Sequence, residues 1–297
     1  MTKCLITKLN GVCSNETLPK LGYFRIKVYK DIIPANSLFN IDVSKETTAT
    51  IIGNGYFSDS AFTSNKGKVL SMSKGTNTFY VKAIDDCYVD IADKNALLRI
   101  INTQKNSGFD LADIKYSNIM YLWLVDSKVC GDIKNVENLS LTCLKLDNTA
   151  VTGDISVLKN LTALTNLGLD NTAVTGDISV LKNLTALKGN GFIFHSKNKL
   201  YGNLGDIPDS LLYLFTGKNG NDFTWTSSNR TKILALTGVE CSTIDNLLNG
   251  MKDLTAEFGG SEIWYKSISL NGTRTSASDA AVKTLQQKGY TVSITPA

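Results

Sequence analysis

Two carboxylates in equivalent places are the first residues whose types and spacing suggest chemistry. Residues 146–164 read LDNTAVTGDISVLKNLTAL and residues 169–187 read the same letters, so Asp154 and Asp177 occupy one position in two copies of a unit. Glycoside cleavage uses such a pair, one as acid and the other as base or nucleophile. The pattern argues for a different use. Stacked parallel strands set equivalent positions only about 4.8 Å apart, and Gly-Asp-Ile recurs at 131–133, 153–155 and 176–178. A dipeptide present in every unit reads as architecture, glycine permitting a positive φ and aspartate accepting from nearby amides. His195 is the lone histidine, and no GxSxG nucleophile text accompanies it. No catalytic residue is therefore assigned, and a capsule depolymerase stands behind a noncatalytic reading.

Metal and cofactor chemistry find equally little support. The six cysteines, at 4, 13, 87, 130, 143 and 241, form no CxxC pair and read as reduced, small apolar residues. Asp85, Asp86, Asp90 and Asp93 lie close together but lack the glycine and terminal glutamate of a calcium loop. No GxxxxGK[ST] phosphate cradle occurs. Neither a metal nor a cofactor is expected. The net charge of +4 is spread over 31 basic and 27 acidic residues without a basic block, so no nucleic-acid partner is expected either. No apolar run is long enough for a secretory leader or a membrane span, which predicts a chain that neither inserts in a membrane nor exports itself.

Binding has a surface to work with. The template LxxLxLxxNxL is filled by Leu164, Leu167, Leu169, Thr172 and Val174, and one unit upstream by Leu141, Leu144, Leu146, Thr149 and Val151. A further unit upstream it is filled by Ile119, Leu122, Leu124, Ser127 and Val129. A period of this length marks a supersecondary unit that buries its apolar side only against a neighbour. The leucines turn inward, and the residues between them face out on a concave sheet. Trp123 and Lys145 form one outward column, Asp147, Asp170 and His195 the next, and Asn148 and Asn171 a third. An exposed aromatic among carboxylates and amides suits a glycan or a polar protein epitope. The alternative is that the Asp-Asn pairs merely solvate the sheet and cap its turns.

The elements positioning these residues are predicted as follows. Residues 1–32 form an N-terminal arm with two strand-like runs, the second alternating as FRIKVY. Residues 33–112 hold short β-prone runs separated by glycine turns, a β-sandwich-like module. Residues 113–297 form a leucine-rich-repeat solenoid with a parallel concave sheet, short convex turns over VLKNLTAL, and a C-terminal cap. Later strands are expected near 192–194, 211–214, 233–236 and 267–270. A helix is expected over Val282 and Leu285, with Ser276 and Asp279 as its capping box and Gly289 as its stop, followed by a closing strand at 291–295. The fold class is thus mixed α/β, an all-β module followed by a solenoid.

These texts carry a family likeness. The repeats resemble bacterial leucine-rich repeats. The opening MTKCLITKLNG…LPKLGYFRIKV, the GNGYFSDS…NTFYV segment and the closing RTSASDAAVKTLQQKGYTVSI resemble virion proteins of Bacteroides-infecting crAss-like gut phages. The resemblance implies a fibre, tail or head decoration, assembled in the host cytoplasm and carried on the virion. It implies docking to other virion proteins through the N-terminal region, and contact with a host-surface glycan or protein. A homo-oligomer through the N-terminal arm is compatible with this. The alternative is an adhesin on a bacterial cell surface.

Overall fold

The computed structural model describes residues 22–30, 37–58, 64–101, 107–187, 193–194, 199–203, 207–208, 213–216, 222–224, 235–240, 244–251 and 267–296. Seven strands come first: β1 (Phe24–Val28), β2 (Ser37–Val43), β3 (Thr47–Ser58), β4 (Val69–Met72), β5 (Gly75–Ile91), β6 (Leu97–Ile101) and β7 (Ser107–Gly108). Alternation explains them. In FRIKV, Phe24, Ile26 and Val28 are fully buried while Arg25 and Lys27 face out, the period-two pattern of a half-wet sheet. β5 is a strand of 17 residues, and its register against β3 shifts opposite Asp85 and Asp86. One edge of β5 pairs with β3, and the other takes β2 over its first half and β1 over its last, all antiparallel. Phe39 stacks on Phe79 and Phe57 meets Phe79 edge-on beneath this sheet.

The repeat units supply parallel strands. They are β8 (Tyr121–Trp123), β9 (Cys130–Asp132), β10 (Cys143–Lys145), β11 (Ala150–Asp154), β12 (Asn166–Gly168), β13 (Ala173–Asp177), β14 (Ile193–Phe194) and β15 (Lys199–Asn203). Then come β16 (Tyr213–Thr216), β17 (Asp222–Thr224), β18 (Ala235–Glu240), β19 (Ser267–Asn271) and β20 (Thr291–Thr295). Every inward template position from Ile119 to Val174 is buried. At the asparagine place, the hydroxyls of Ser127, Thr149 and Thr172 donate to the carbonyls of Leu124, Leu146 and Leu169 at 2.6, 2.6 and 2.7 Å, closing each turn internally.

The Gly-Asp pair works across units. Asp132 accepts from the Lys134 amide at 2.9 Å and caps the 3₁₀ turn Ile133–Val136, and Asp154 and Asp177 do the same for their own turns. In the following unit Gly153, at φ +105°, lies directly over the Asp132 carboxylate, where a Cβ would collide. Only glycine fits both the backbone angle and the space.

The expected fold class, an all-β module followed by a separate mixed α/β solenoid, is corrected by the strand pairing. β6 pairs antiparallel with β2 and parallel with β8, so both halves share one mixed ten-stranded sheet, ordered β12-β10-β8-β6-β2-β5-β1-β7 with β3 and β4 alongside. The physical reason lies in Leu97 and Ile100. They sit in the inward register of Ile119 and Leu122 one unit early, so β6 is antiparallel on one edge and parallel on the other. The described chain is mainly β, with 3₁₀ turns where an α/β repeat would carry helices. Two further five-stranded sheets, β17-β15-β13-β11-β9 and β14-β16-β18-β19-β20, are wholly parallel.

Two α-helices are described, α1 (Ile244–Met251) and α2 (Asp279–Gln287). Thr275, not Ser276, provides the cap before α2: its hydroxyl accepts from the Ala277 amide, and Ser276–Ser278 form a 3₁₀ turn. Gly289, at φ +87°, ends the helix as expected, and β20 closes the chain.

Candidate functional site

The face of the ten-stranded sheet turned away from the core carries the candidate site. Parallel register aligns Arg99, Tyr121, Cys143 and Asn166 in one column, and Ile101, Trp123, Lys145 and Gly168 in the next. Trp123 and Lys145 are neighbours as expected, and Trp123 remains 37% exposed. Lys145 leans over Gly168, with its Nζ donating to the Leu167 carbonyl at 3.3 Å. Asp147 also lies over Gly168, and its Oδ1 accepts from the Asp170 amide at 3.0 Å. The missing side chain at 168 is what makes room for both.

Asn148 and Asn171 belong to a ladder along the turns. Asp126, Asn148 and Asn171 take φ values of 59°, 58° and 51°, the left-handed region that asparagine and aspartate tolerate best among side-chain-bearing residues. Asn148 Nδ2 donates to Asp126 Oδ1, and Asn171 Nδ2 donates to Asn148 Oδ1, each at 2.8 Å. Hydrogen bonds to neighbouring units thus engage the Asp147, Asn148 and Asn171 side chains. His195 lies outside the described residues.

Four residues not singled out by sequence stand beside Trp123. Asn40 and Asp42 alternate with the buried Phe39, Ile41 and Val43 on β2 and project onto the same face. Arg99 opposes Asp42 across β2 and β6, next to a register shift at Asp42/Val43, a bulge of the kind that re-aims side chains. The Arg99 guanidinium lies 4.6 Å from the Tyr121 ring centroid, a cation–π contact. Its Nη1 is 3.7 Å from Asp42 Oδ2, beyond hydrogen-bond length. Asn40 Oδ1, Asp42 Oδ1 and Arg99 Nε are shut from water with no hydrogen-bond partner among the described residues. Burial pushes up both the Tyr121 hydroxyl and the neighbouring Cys143 thiol. The sequence signal was available: Arg99 falls in register with Tyr121 one unit before the obvious repeats.

Several other charges form ion pairs. Arg25 Nε and Nη2 meet the Asp90 carboxylate at 2.6 and 2.7 Å, a bidentate clamp. Asp85 meets Lys30 and Asn54, Asp86 meets Lys27, and Asp93 meets Lys45. The four aspartates read as a potential calcium cluster are therefore engaged with separate partners, and no metal-binding group of three or more ligands occurs among the described residues. Asp154 and Asp177 each use Oδ1 to cap a turn. No described helix is long and apolar enough to cross a membrane.

No protein-family description matches this chain, and no curated protein matches it. Among solved structures, a match is found to the crystal structure of PEPR1-AtPEP1, in which PEPR1 is a leucine-rich-repeat receptor. It is 19% identical with a TM-score of 0.36, over 59% of this chain and 26% of that one. The match thus spans about a quarter of that chain, and at this distance it assigns neither ligand nor partner.

Proposed function

We propose that the protein is a noncatalytic virion structural component that docks through its N-terminal β region. In this reading it offers the exposed face of its large sheet to a host surface or to another virion protein. The observation that carries the recognition half is the group formed by Trp123, Tyr121, Arg99 and Asp42: an exposed aromatic beside a cation–carboxylate pair left open. Buried cores close such groups with partners, whereas recognition faces combine aromatic anchors with polar groups that pair only on binding. The resemblance of the opening, middle and closing texts to phage virion proteins supports the particle half.

Two measurements test this reading. Mass spectrometry of purified particles should contain this chain at structural abundance, and its absence would refute the virion assignment. The purified protein should bind Bacteroides cells or particle proteins in a pull-down, and Trp123→Ala with Tyr121→Ala should abolish that capture. Capture unchanged in the double variant would remove this face from the proposal.

A further inference from the structure

We infer that the corner formed by Asn40, Asp42 and Arg99, with Tyr121 and Trp123 beside it, is a subsite for a neutral sugar ring bearing adjacent hydroxyls. This deepens the surface-recognition reading and rests on it. The sheet contains its own control. On the same non-core face, Arg25 and Asp90 close into a two-bond clamp at 2.6 and 2.7 Å. Arg99 and Asp42 are the same two residue types on paired strands, yet they stand 3.7 Å apart with Nε and Oδ1 both unmatched among the described residues. Arg99 is drawn instead toward the Tyr121 ring, so its guanidinium lies between an aromatic face and a carboxylate without completing a bond to the latter.

The unmet groups define what completes them. Arg99 offers donors, while Asp42 and Asn40 offer acceptors. A hydroxyl is both, so two adjacent hydroxyls can accept from Arg99 and donate to Asp42 or Asn40. Both charged side chains keep part of their surface in solvent, at 38% and 22%, so a ligand meets them from outside and their inner atoms pair as Arg99 turns from Tyr121. A phosphate or carboxylate is a poorer fit, because Asp42 cancels the charge of Arg99 and would repel the anion. Trp123 stands two residues beyond Tyr121 on β8, about 6.6 Å along the strand. That separation is about one pyranose ring, whose apolar C–H face stacks on an aromatic while its hydroxyl edge reaches the polar corner. A surface polysaccharide and a glycoprotein glycan share this chemistry.

Saturation-transfer NMR on the full chain with methyl mannoside, glucoside, galactoside and fucoside tests the subsite, with heparin as the anionic comparison. Signal transfer to at least one neutral glycoside is expected. Arg99→Lys, which keeps the charge but loses Nε and the planar fork, should weaken binding at least about tenfold with the thermal transition unchanged. Should that variant not fold, Trp123→Ala, at an exposed position, should weaken it about three- to tenfold. No transfer to any neutral glycoside, binding of heparin alone, or undiminished binding in the folded variants would each overturn the subsite. Capture of Bacteroides cells by a protein that binds no neutral glycoside would overturn the sugar assignment and leave the surface-recognition reading standing. Loss of both would refute the two together.

Discussion

Replacing Gly153 with alanine should destabilise the protein by about 2–3 kcal/mol, and the way that loss divides tests the cross-unit architecture. Gly153 sits at φ +105°, and forcing an L side chain into such a conformation costs about 1–2 kcal/mol. The new Cβ would also collide with Asp132 Oδ1 and come within 3.2 Å of Ile133 Cγ2. Displacing that carboxylate breaks its 2.9 Å bond from the Lys134 amide, and loss of a cap costs about 1 kcal/mol. Asp132→Ala alone should therefore cost about 1 kcal/mol. In the double variant the cap is lost only once and the collision has gone, so the two single losses should exceed the double by about 1 kcal/mol. Urea unfolding of the four proteins, followed by circular dichroism and compared where their slopes agree, measures the coupling. Additivity to within about 0.3 kcal/mol would refute the contact between units. An unperturbed Gly153→Ala would refute the backbone argument as well.

Two further outcomes are expected. Asn148→Ala should cost about 1–2 kcal/mol by removing the bonds to Asp126 and Asn171 and placing alanine at φ 58°, whereas Asn148→Gly should lose only the bonds; equal losses in thermal unfolding would show that the backbone angle is not selective. Hydrogen bonds from the Ser278 hydroxyl and from the Thr275 hydroxyl and amide hold the Asp245 carboxyl below its ordinary range. A depressed carboxylate stabilises the fold fully above its unfolded pKa of about 3.9 and loses that contribution as pH falls through the lower folded value. Hydrogen exchange in Ile244–Met251 should accordingly rise below about pH 4 in the native chain, and Asp245→Asn should flatten that dependence; an unchanged profile in the variant would assign the acid sensitivity elsewhere.

The repeats were legible because their physics is local and periodic. A leucine at each inward place, a hydroxyl closing each turn and a Gly-Asp pair at each corner are all written at one spacing, and the structure uses each as that spacing implies. The join between the halves was not legible for the same reason. Leu97 and Ile100 follow the inward pattern, but the next inward place, one unit before Leu124, is Asn102, and the unit's cap, Asp110, follows Phe109 rather than a glycine. The template therefore breaks where the two kinds of pairing meet. Asp85 and Asp86 follow a different principle: they fall at the register shift between β3 and β5, outside the paired positions of both partner strands.

Polar residues in the repeated text behave in a way general to stacked units. A polar residue recurring at one position finds its copy one strand away, so asparagine bonds to asparagine and aspartate to the next unit's amide, and the ladder satisfies itself. The proposed recognition corner needs side chains whose neighbours differ from them. That condition is met where β6 pairs with an antiparallel strand on one side and a repeat strand on the other. There Asn40 and Asp42 from one pattern meet Tyr121 and Trp123 from the other across Arg99. Neither pattern supplies the partner that would close the group, because neither recurs on both sides of the strand. Among the described residues, Asn40 Oδ1, Asp42 Oδ1 and Arg99 Nε accordingly stay unmatched at this junction, whereas the duplicated columns match their own.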